Sequence, residues 1–274
     1  MANATTRVRF LFASLCLQAS SSFTPYGVRR SFSLRYRNDQ SAGSSRRRSF
    51  TWQQETSGSS SHEDDDAAAD TTARFSQPIH TFLGKSTDAI VRPGIVLVAP
   101  AYEFHHFYRE SAIFVYAMGE DENDYYVIRG VILDQPTPFT LSEMLTAVPS
   151  ENSLGDSLLF RGGDKGGDGA ILLHNCPDVP GEGIGSSGVW HGGWEAALQA
   201  CRSGSAQAEN FKAFFNYCEF TEKELEKMLD QEDEETGDGW MSVEVDNKLV
   251  LNGDWGKGEC WRLLRNALVQ LEEK

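Results

Sequence analysis

Short apolar runs separated by glycine, proline and acidic residues recur along the chain from about residue 95. Residues 95–99 are a continuous apolar run between a glycine and a proline, which predicts a buried strand. Residues 113–117 and 126–133 predict two further strands, and the acidic turn at 119–124 joins them closely enough to make them antiparallel neighbours. The remaining predicted strands are at residues 157–160, 170–173, 211–217, 241–245 and 248–251.

Capping residues mark two of the predicted helix starts. Thr140 followed by Glu143, and Thr221 followed by Glu224, have the spacing of capping boxes. They predict helices over residues 141–145 and from 222 to about 230, and two more helices are predicted at residues 194–201 and 259–271. Because the strands pair with near neighbours and the helices come mostly late in the chain, the predicted class is α+β in a single domain.

A polar segment at residues 51–73 precedes the apolar pattern. It contains a serine-rich stretch and then the acidic run 63–66, and it has too few apolar residues to offset the entropy lost on ordering. We therefore interpret residues 51–73 as a disordered acidic linker. The predicted domain spans residues 74–274, which is enough chain to bury a sizeable core.

The first fifty residues have the composition of sorting signals. Two arginines precede the apolar stretch 10–17 and small residues follow it, which is typical of a signal peptide over residues 1–22. Residues 23–50 are rich in arginine and serine and contain one acidic residue, Asp39, which is typical of a transit peptide. With Phe23 at the junction, the segment resembles the bipartite presequence of algae with complex plastids, and this resemblance implies the plastid stroma. Secretion with a basic N-terminus is the alternative.

The charge of the chain argues against nucleic acid as a partner. The formal net charge is −15, and residues 1–60 contain nine Arg against two acidic residues, a contribution of +7, so the remaining chain carries −22. Neutralisation of phosphates supplies most of the affinity for nucleic acid, so a body this acidic is not expected to bind DNA or RNA. The stretch 10–17 is too short to anchor the chain in a bilayer, and no membrane association is expected of the mature form.

A series of dispersed motifs carries a resemblance to a known family. They are RPGIVLVAP from residue 92, FYRESAIFV from residue 107, GVILDQP from residue 130, FRGGD from residue 160, FNY from residue 215, EKELE from residue 222 and GW from residue 239. In this order and spacing they resemble the AlgH-like family, also called YqgE-like. The resemblance implies one α+β domain around a strongly bent, mostly antiparallel sheet with flanking helices.

Five positions depart from the residues that this family usually has. They are Asp134, Asp164, Asn216, Phe220 and Glu224, where the family usually has asparagine, proline, glycine, tryptophan and glutamine. The chain therefore resembles a divergent, plastid-targeted member. If the amide side chains contact a ligand in relatives, these replacements alter that site here.

The predicted binding surface gathers Asp134, Arg161, Gly162, Gly163 and Asp164 near strand ends, where loops commonly carry function. Two glycines directly after a strand let backbone N–H groups approach a ligand. The alternative is that the glycines form a hairpin connection that needs positive φ.

No cofactor or metal is expected. The residues 183–188 match the spacing of a dinucleotide-binding loop, but no predicted strand precedes them and no predicted helix follows directly. The cysteine and histidine positions have no zinc-site spacing. Cys176 and Cys218 are candidates for redox regulation, although buried, inert thiols are the commoner outcome.

No arrangement typical of a known reaction is present in the sequence. We therefore predict a non-catalytic binding or regulatory module with an unknown protein or small-molecule partner. The alternatives are a hydrolase or transferase of unrecognised type acting at the same surface, and a redox-responsive partner protein.

Overall fold

Strands and helices alternate irregularly through the described part of the computed structural model, which comprises residues 75, 77–103, 105–121 and 123–272. The strands there are β1 Ile79–Lys85, β2 Val96–Val98, β3 Ala112–Glu120, β4 Tyr126–Ile132, β5 Pro136–Thr140, β6 Leu158–Arg161, β7 Lys165–His174, β8 Glu182–Gly183, β9 Trp190–His191, β10 Phe211–Thr221 and β11 Met241–Val245. The helices are α1 Leu141–Met144, α2 Trp194–Ser203, α3 Glu222–Leu229, α4 Asn247–Leu251 and α5 Glu259–Glu272. The predicted signal peptide (1–22), transit peptide (23–50) and linker (51–73) lie outside the described residues.

The described strands join one open sheet in the order β1-β11-β2-β3-β4-β10-β7-β9-β8, and β6 lies between β10 and β5. The pairings are antiparallel except that of β6 with β10, which is parallel. The predicted α+β class with a mostly antiparallel sheet is confirmed.

Strand β10 changes its partners half-way along its length. On one edge, residues 213–215 pair with β6 and residues 218–221 pair with β4, whereas the other edge pairs with β7 as far as Tyr217. A bulge separates the two parts at Asn216, whose φ of +59° lies in the left-handed region. Bulges bend a strand and increase its twist. One strand thus serves both parts of the sheet.

The connection between β6 and β7 passes against this bulge. The N–H of Gly162 donates to the carbonyl of Phe215 at 2.8 Å, and the carbonyl of Gly162 accepts from the N–H of Ile132 at 2.9 Å. A Cβ on Gly162 would lie 2.4 Å from the Asn216 oxygen, and one on Gly163 would lie 2.2 Å from the carbonyl carbon of Tyr217. No other residue fits at either position without a shift of the β10 backbone.

The predicted hairpin alternative for these glycines is wrong. β6 and β7 pair with opposite edges of the same β10 residues, so they are not hairpin neighbours. Neither Gly162 nor Gly163 has a positive φ. Close backbone approach, not turn geometry, requires glycine at both positions.

The predicted helix starts form as expected at both capping boxes. The Glu143 carboxylate accepts from the N–H of Thr140, and the Glu224 carboxylate accepts from the N–H of Thr221, each at 2.8 Å. The predicted strand at 248–251 is wrong, because these residues belong to α4. The Asp246 side chain accepts from the Lys248 N–H at 2.7 Å and caps that helix, which buries its apolar residues together.

Four strands were not predicted from the sequence. β8 and β9 have only two residues each, and β1 and β5 lack a typical strand pattern. β1 has mostly exposed residues at its start and no alternating pattern, and β5 contains two prolines, which argue against a strand in sequence. Both lie at edges of the sheet. Within the described residues, no helix combines the length and the apolar character needed to cross a membrane.

The core occupies both faces of the central strands. On β3, Phe114 packs in the cluster that contains Trp255 and α5, whereas Ile113 packs in the cluster that contains Trp240 and α3. A third cluster lies under α2 and includes Leu172. Burial on both faces explains why the central strands read as continuous apolar runs rather than alternating ones.

Replacement of Asn216 tests the bend in β10. We expect N216G to leave the free energy of unfolding unchanged or to raise it, and N216A to lower it by about 1 kcal/mol, because an L side chain other than Asn is strained at positive φ. Urea unfolding measures both effects. The matched control N266A, at an exposed position of α5, should change stability by no more than about 0.5 kcal/mol. Equal stability of N216A and N216G would contradict the strained conformation.

Candidate functional site

A cleft of about 1000 Å³ opens where β6 and β10 begin. Its lining comes from the 3-10 turns Ser153–Asp156 and Ala208–Asn210, from the first residues of the two strands, from α4 and the loop that follows it, and from residues near Phe75. These segments are distant in sequence, and the pairing of β6 with β10 brings them together.

The buried end of the cleft contains the side chain of Lys212, which is 2 % exposed. Its Nζ donates to the carbonyl of Leu133 at 2.7 Å and to the carbonyl of Asn252 at 2.6 Å. It also lies 4.0 Å from the centre of the Phe160 ring. Burial lowers the pKa of Lys212 to about 7, and Cys260 and Asp134 oppose this effect.

Asp134 lies next to this lysine in the interior and is fully buried. Its Oδ2 accepts from the Trp261 N–H in the first turn of α5 at 2.9 Å, whereas its Oδ1 has no hydrogen-bond partner among the described residues. Burial raises the pKa of Asp134 to about 7, although the Trp261 N–H and Lys212 oppose that rise. The thiol of Cys260 is also fully buried, and its pKa is well above the ordinary value because of burial and then of Asp134.

Burial and the Phe160 ring leave the Nζ of Lys212 little access to a substrate, which makes it a poor nucleophile. A neutral amine has two N–H groups, and Leu133 and Asn252 accept both of them. The lone pair of that amine, or the third N–H of an ammonium, then points toward Phe160. The arrangement ties β10 to the end of β4 and to the loop before α5.

The outer lining of the cleft is polar and acidic. Its carboxylates are those of Asp156, Glu209, Asp246 and Asp254, against the exposed ammonium of Lys248. An amide pair adds neutral donors and acceptors, because Nδ2 of Asn210 donates to Oδ1 of Asn175 at 3.1 Å. Apolar surface is also available, since Leu158 is 42 % exposed.

The residues of the predicted binding surface do not face one direction. The Arg161 N–H donates to the Gln135 carbonyl at 2.8 Å, so the two segments are adjacent, but the carboxylate of Asp134 turns inward to α5. Gly162 and Gly163 are buried against β10. These contacts give Asp134 and both glycines a role in the architecture. The assignment of a binding surface to the five residues stays a prediction.

Arg161 and Asp164 lie beside an aromatic segment. The Arg161 guanidinium is 4.5 Å from the centre of the Phe107 ring, and its Nε donates to the Gly163 carbonyl at 3.2 Å. Burial raises the pKa of Tyr108, and the neighbouring charges of Cys218 and Asp164 raise it further. Tyr108 also packs on Phe220 at a ring distance of 5.3 Å. The result is a partly covered surface of aromatic and charged side chains.

The cysteines proposed for redox regulation differ in accessibility. Cys218 is fully buried, its Sγ donates to the Gly162 carbonyl at 3.3 Å, and burial raises its pKa well above the ordinary value. Cys176 is partly exposed, and burial also raises its pKa. The four cysteines of the described residues are free thiols, and a redox role for Cys176 or Cys218 stays a prediction.

A second, more acidic cavity of about 800 Å³ lies between residues 100–105 and 230–238. Several of its carboxylates are engaged within the fold. Glu103 accepts from the Trp240 Nε1 at 2.9 Å, and Asp238 pairs with Arg265 at 2.8 Å. Asp233 accepts from residues of its own turn.

Sequence reasoning missed Lys212, the deepest polar group of the cleft. The available signal was a lysine flanked on both sides by apolar residues in a strand, at a position that shares its face with Phe214. In the part of the chain that the structure describes, no group of three or more His, Cys, Asp or Glu side chains could hold a metal ion.

Sequence comparison matches the family model described as AlgH-like (DUF179) to residues 96–270. The comparison with curated proteins found no match. Among solved structures, protein DIP2367 from Corynebacterium diphtheriae is similar, with 15 % identity, coverage of 64 % of this chain and 87 % of that chain, and a TM-score of 0.47. The AlgH protein from Pseudomonas aeruginosa is also similar, with 15 % identity, coverage of 66 % and 93 %, and a TM-score of 0.43.

The shifted pKa values of the buried groups Asp134 and Lys212 predict an unusual pH dependence of the free energy of unfolding. The pKa of Asp134 is higher in the folded chain than its ordinary 3.8, so the stability it contributes at low pH is lost as the pH rises toward 7. The pKa of Lys212 is lower than its ordinary 10.5, so the stability it contributes at high pH is lost as the pH falls toward 7. Each slope is at most about 1.4 kcal/mol per pH unit.

Urea unfolding between about pH 4 and pH 10 measures both slopes, and variants assign them. D134N should remove the fall in the free energy of unfolding as the pH rises toward 7. K212M should remove the rise in that free energy as the pH increases above 7. E222Q and K223M, at exposed positions of α3, are matched controls that should leave both slopes in place. A K212M chain that keeps the upper slope would show that another group causes it.

Proposed function

The chain belongs to the AlgH-like family, whose biochemical role is unknown, and on that premise we propose that it is a non-catalytic binding module whose ligand site is the cleft at the start of β6 and β10. The observation that carries this proposal is the cleft itself. It is large enough for a ligand, and several distant segments build it. Its deepest polar group, Lys212, uses its donors to hold those segments together.

A pair of glycine variants tests the cleft as a ligand site. Gly253 lines it and Gly119 lies in β3, and a Cβ at either position meets no atom within 4 Å. We expect G253W to fill the cleft and G119W to be its matched control, both without strain in the backbone. Thermal shifts of the full chain are measured with nucleotides, divalent cations, amino acids, sugar phosphates and peptides of either charge.

A compound that stabilises the wild type and G119W but not G253W would support the proposal. Equal stabilisation of all three chains would place the ligand elsewhere. The absence of any shift across the panel would count against a binding role for the cleft. Unchanged melting temperatures of both variants without ligand verify that each still folds.

An enzyme that uses Lys212 is the second candidate function. The observation in its favour is that burial lowers the pKa of this cleft-lining amine to about 7, as in lysines that form imines with carbonyl substrates. The near-complete burial of this amine and the Phe160 ring against its Nζ argue against it. Treatment with glycolaldehyde and cyanoborohydride, followed by peptide mapping, distinguishes the two. We expect adducts at exposed lysines such as Lys248, and selective labelling of Lys212 would favour the enzyme.

We further propose that the protein acts in the plastid stroma. The support is the acid-poor, arginine- and serine-rich composition of residues 23–50 and Phe23 at their start. Residues 1–50 fused to a fluorescent protein should direct it to the plastid in an alga with a complex plastid, and F23A should divert it. Secretion of the unmodified fusion would overturn this localisation.

A further inference from the structure

The outer lining of the cleft holds carboxylates that the fold does not use. Asp156 and Glu209 are exposed and accept no hydrogen bond from described residues. They project from the two 3-10 turns that line the cleft. By contrast, Glu103 and Asp238 of the second acidic cavity are bound to Trp240 and Arg265. Asp230, Glu234 and Glu235 of that cavity are exposed as well, so free carboxylates are present in both places.

The charge of the cleft selects the sign of its ligand. Four carboxylates line it against the exposed Lys248, and the charge of Lys212 is turned away to two carbonyls and an aromatic ring. A concave surface with one dominant sign concentrates the field and attracts ions of the opposite sign. A phosphate or carboxylate ligand would be repelled, whereas an ammonium or guanidinium would be attracted.

The shape and polarity of the cleft select the size of the ligand. Sites for small metabolites are lined mostly by apolar side chains and enclose most of the ligand. Here polar and apolar side chains share the lining, and the exposed Leu158 and the partly exposed Phe75 provide separate apolar contacts. A chain segment with alternating charged and apolar side chains matches that surface better than a compact metabolite.

Resting on the proposed role of the cleft, we propose that its ligand is a basic peptide segment of a partner protein, with arginine or lysine side chains at Asp156 and Glu209 and an apolar side chain against Leu158. The interaction is electrostatic at the rim and apolar within. It therefore weakens as salt is added, because exposed charge pairs are screened.

The probe is a fluorescein-labelled peptide of repeating arginine, phenylalanine and serine, and its counterpart has glutamate in place of arginine. Fluorescence anisotropy measures the binding of each to the full chain. The arginines of residues 29–48 are replaced by serine in the chain used, so that its own basic segment cannot compete. We expect the basic peptide to bind, the acidic one not to bind, and the affinity to fall at least fivefold between 50 and 300 mM salt.

Two double variants, each of which removes two negative charges, locate the binding site of the basic peptide. D156N/E209Q removes the free carboxylates of the cleft, and E234Q/E235Q makes the same change of charge at exposed residues of the second cavity. We expect the first pair to weaken binding about tenfold and the second less than twofold. Equal effects of the two pairs would overturn the proposal, because they would indicate attraction to the net charge of the chain alone.

The tryptophan variant separates this inference from the proposed function. If G253W abolishes binding of the basic peptide and G119W does not, the site and the ligand class are both supported. If G253W instead blocks a neutral or acidic ligand, the cleft is a binding site but the inference about basic peptides is wrong. If the basic peptide binds G253W unchanged, its site lies outside the cleft and the inference fails.

Discussion

The structure depends on one strand that changes partners half-way along its length. One edge of β10 joins β6 before Asn216 and β4 after it, while the other edge joins β7. This change of partner requires a bulge in β10. It also requires the connection between β6 and β7 to pack directly against that bulge. Gly162 is hydrogen-bonded to both parts of the sheet. Its N–H donates to the Phe215 carbonyl, and its carbonyl accepts from the Ile132 N–H. A side chain at that position would force apart the two backbones that join the parts.

The change of partner strands along β10 also determines the position of the cleft and the burial of Lys212. The first part of β10 lies beside the parallel strand β6, so the turns before the two strands meet at one end of the sheet. Lys212 then lies beneath them and reaches Leu133 and Asn252. Burying an ammonium costs several kcal/mol. Two carbonyls, the Phe160 ring and the nearby Asp134 carboxylate offset that cost, and α5 is held at its start by the same aspartate.

Four of the five departures from the usual residues of the AlgH-like family have an architectural explanation, and the structure does not explain Asp164. Asn216 replaces glycine where φ is positive, and asparagine is the residue that tolerates this region best after glycine. Glu224 replaces glutamine in a capping box, which either residue completes. Phe220 replaces tryptophan and remains buried against Tyr108. Asp134 replaces asparagine and still accepts a hydrogen bond from the Trp261 N–H, and its other carboxyl oxygen is buried without a partner in the described part of the chain.

The sequence by itself determined the class of the fold, most of the strands and the capped helices, because apolar periodicity and capping are local properties that a short window contains. It failed at residues 248–251, where an apolar run fits a strand and a short buried helix equally well and the Asp246 cap decides between them. Only the tertiary structure decided the candidate site. In sequence, Lys212 lies 79 and 40 residues from the two residues whose carbonyls accept its hydrogen bonds. Asp134 lies 127 residues from the residue whose N–H donates to it. Which distant segments meet depends on the bend in β10 and on the passage of Gly162 against it, and no local pattern records where a strand exchanges its partners.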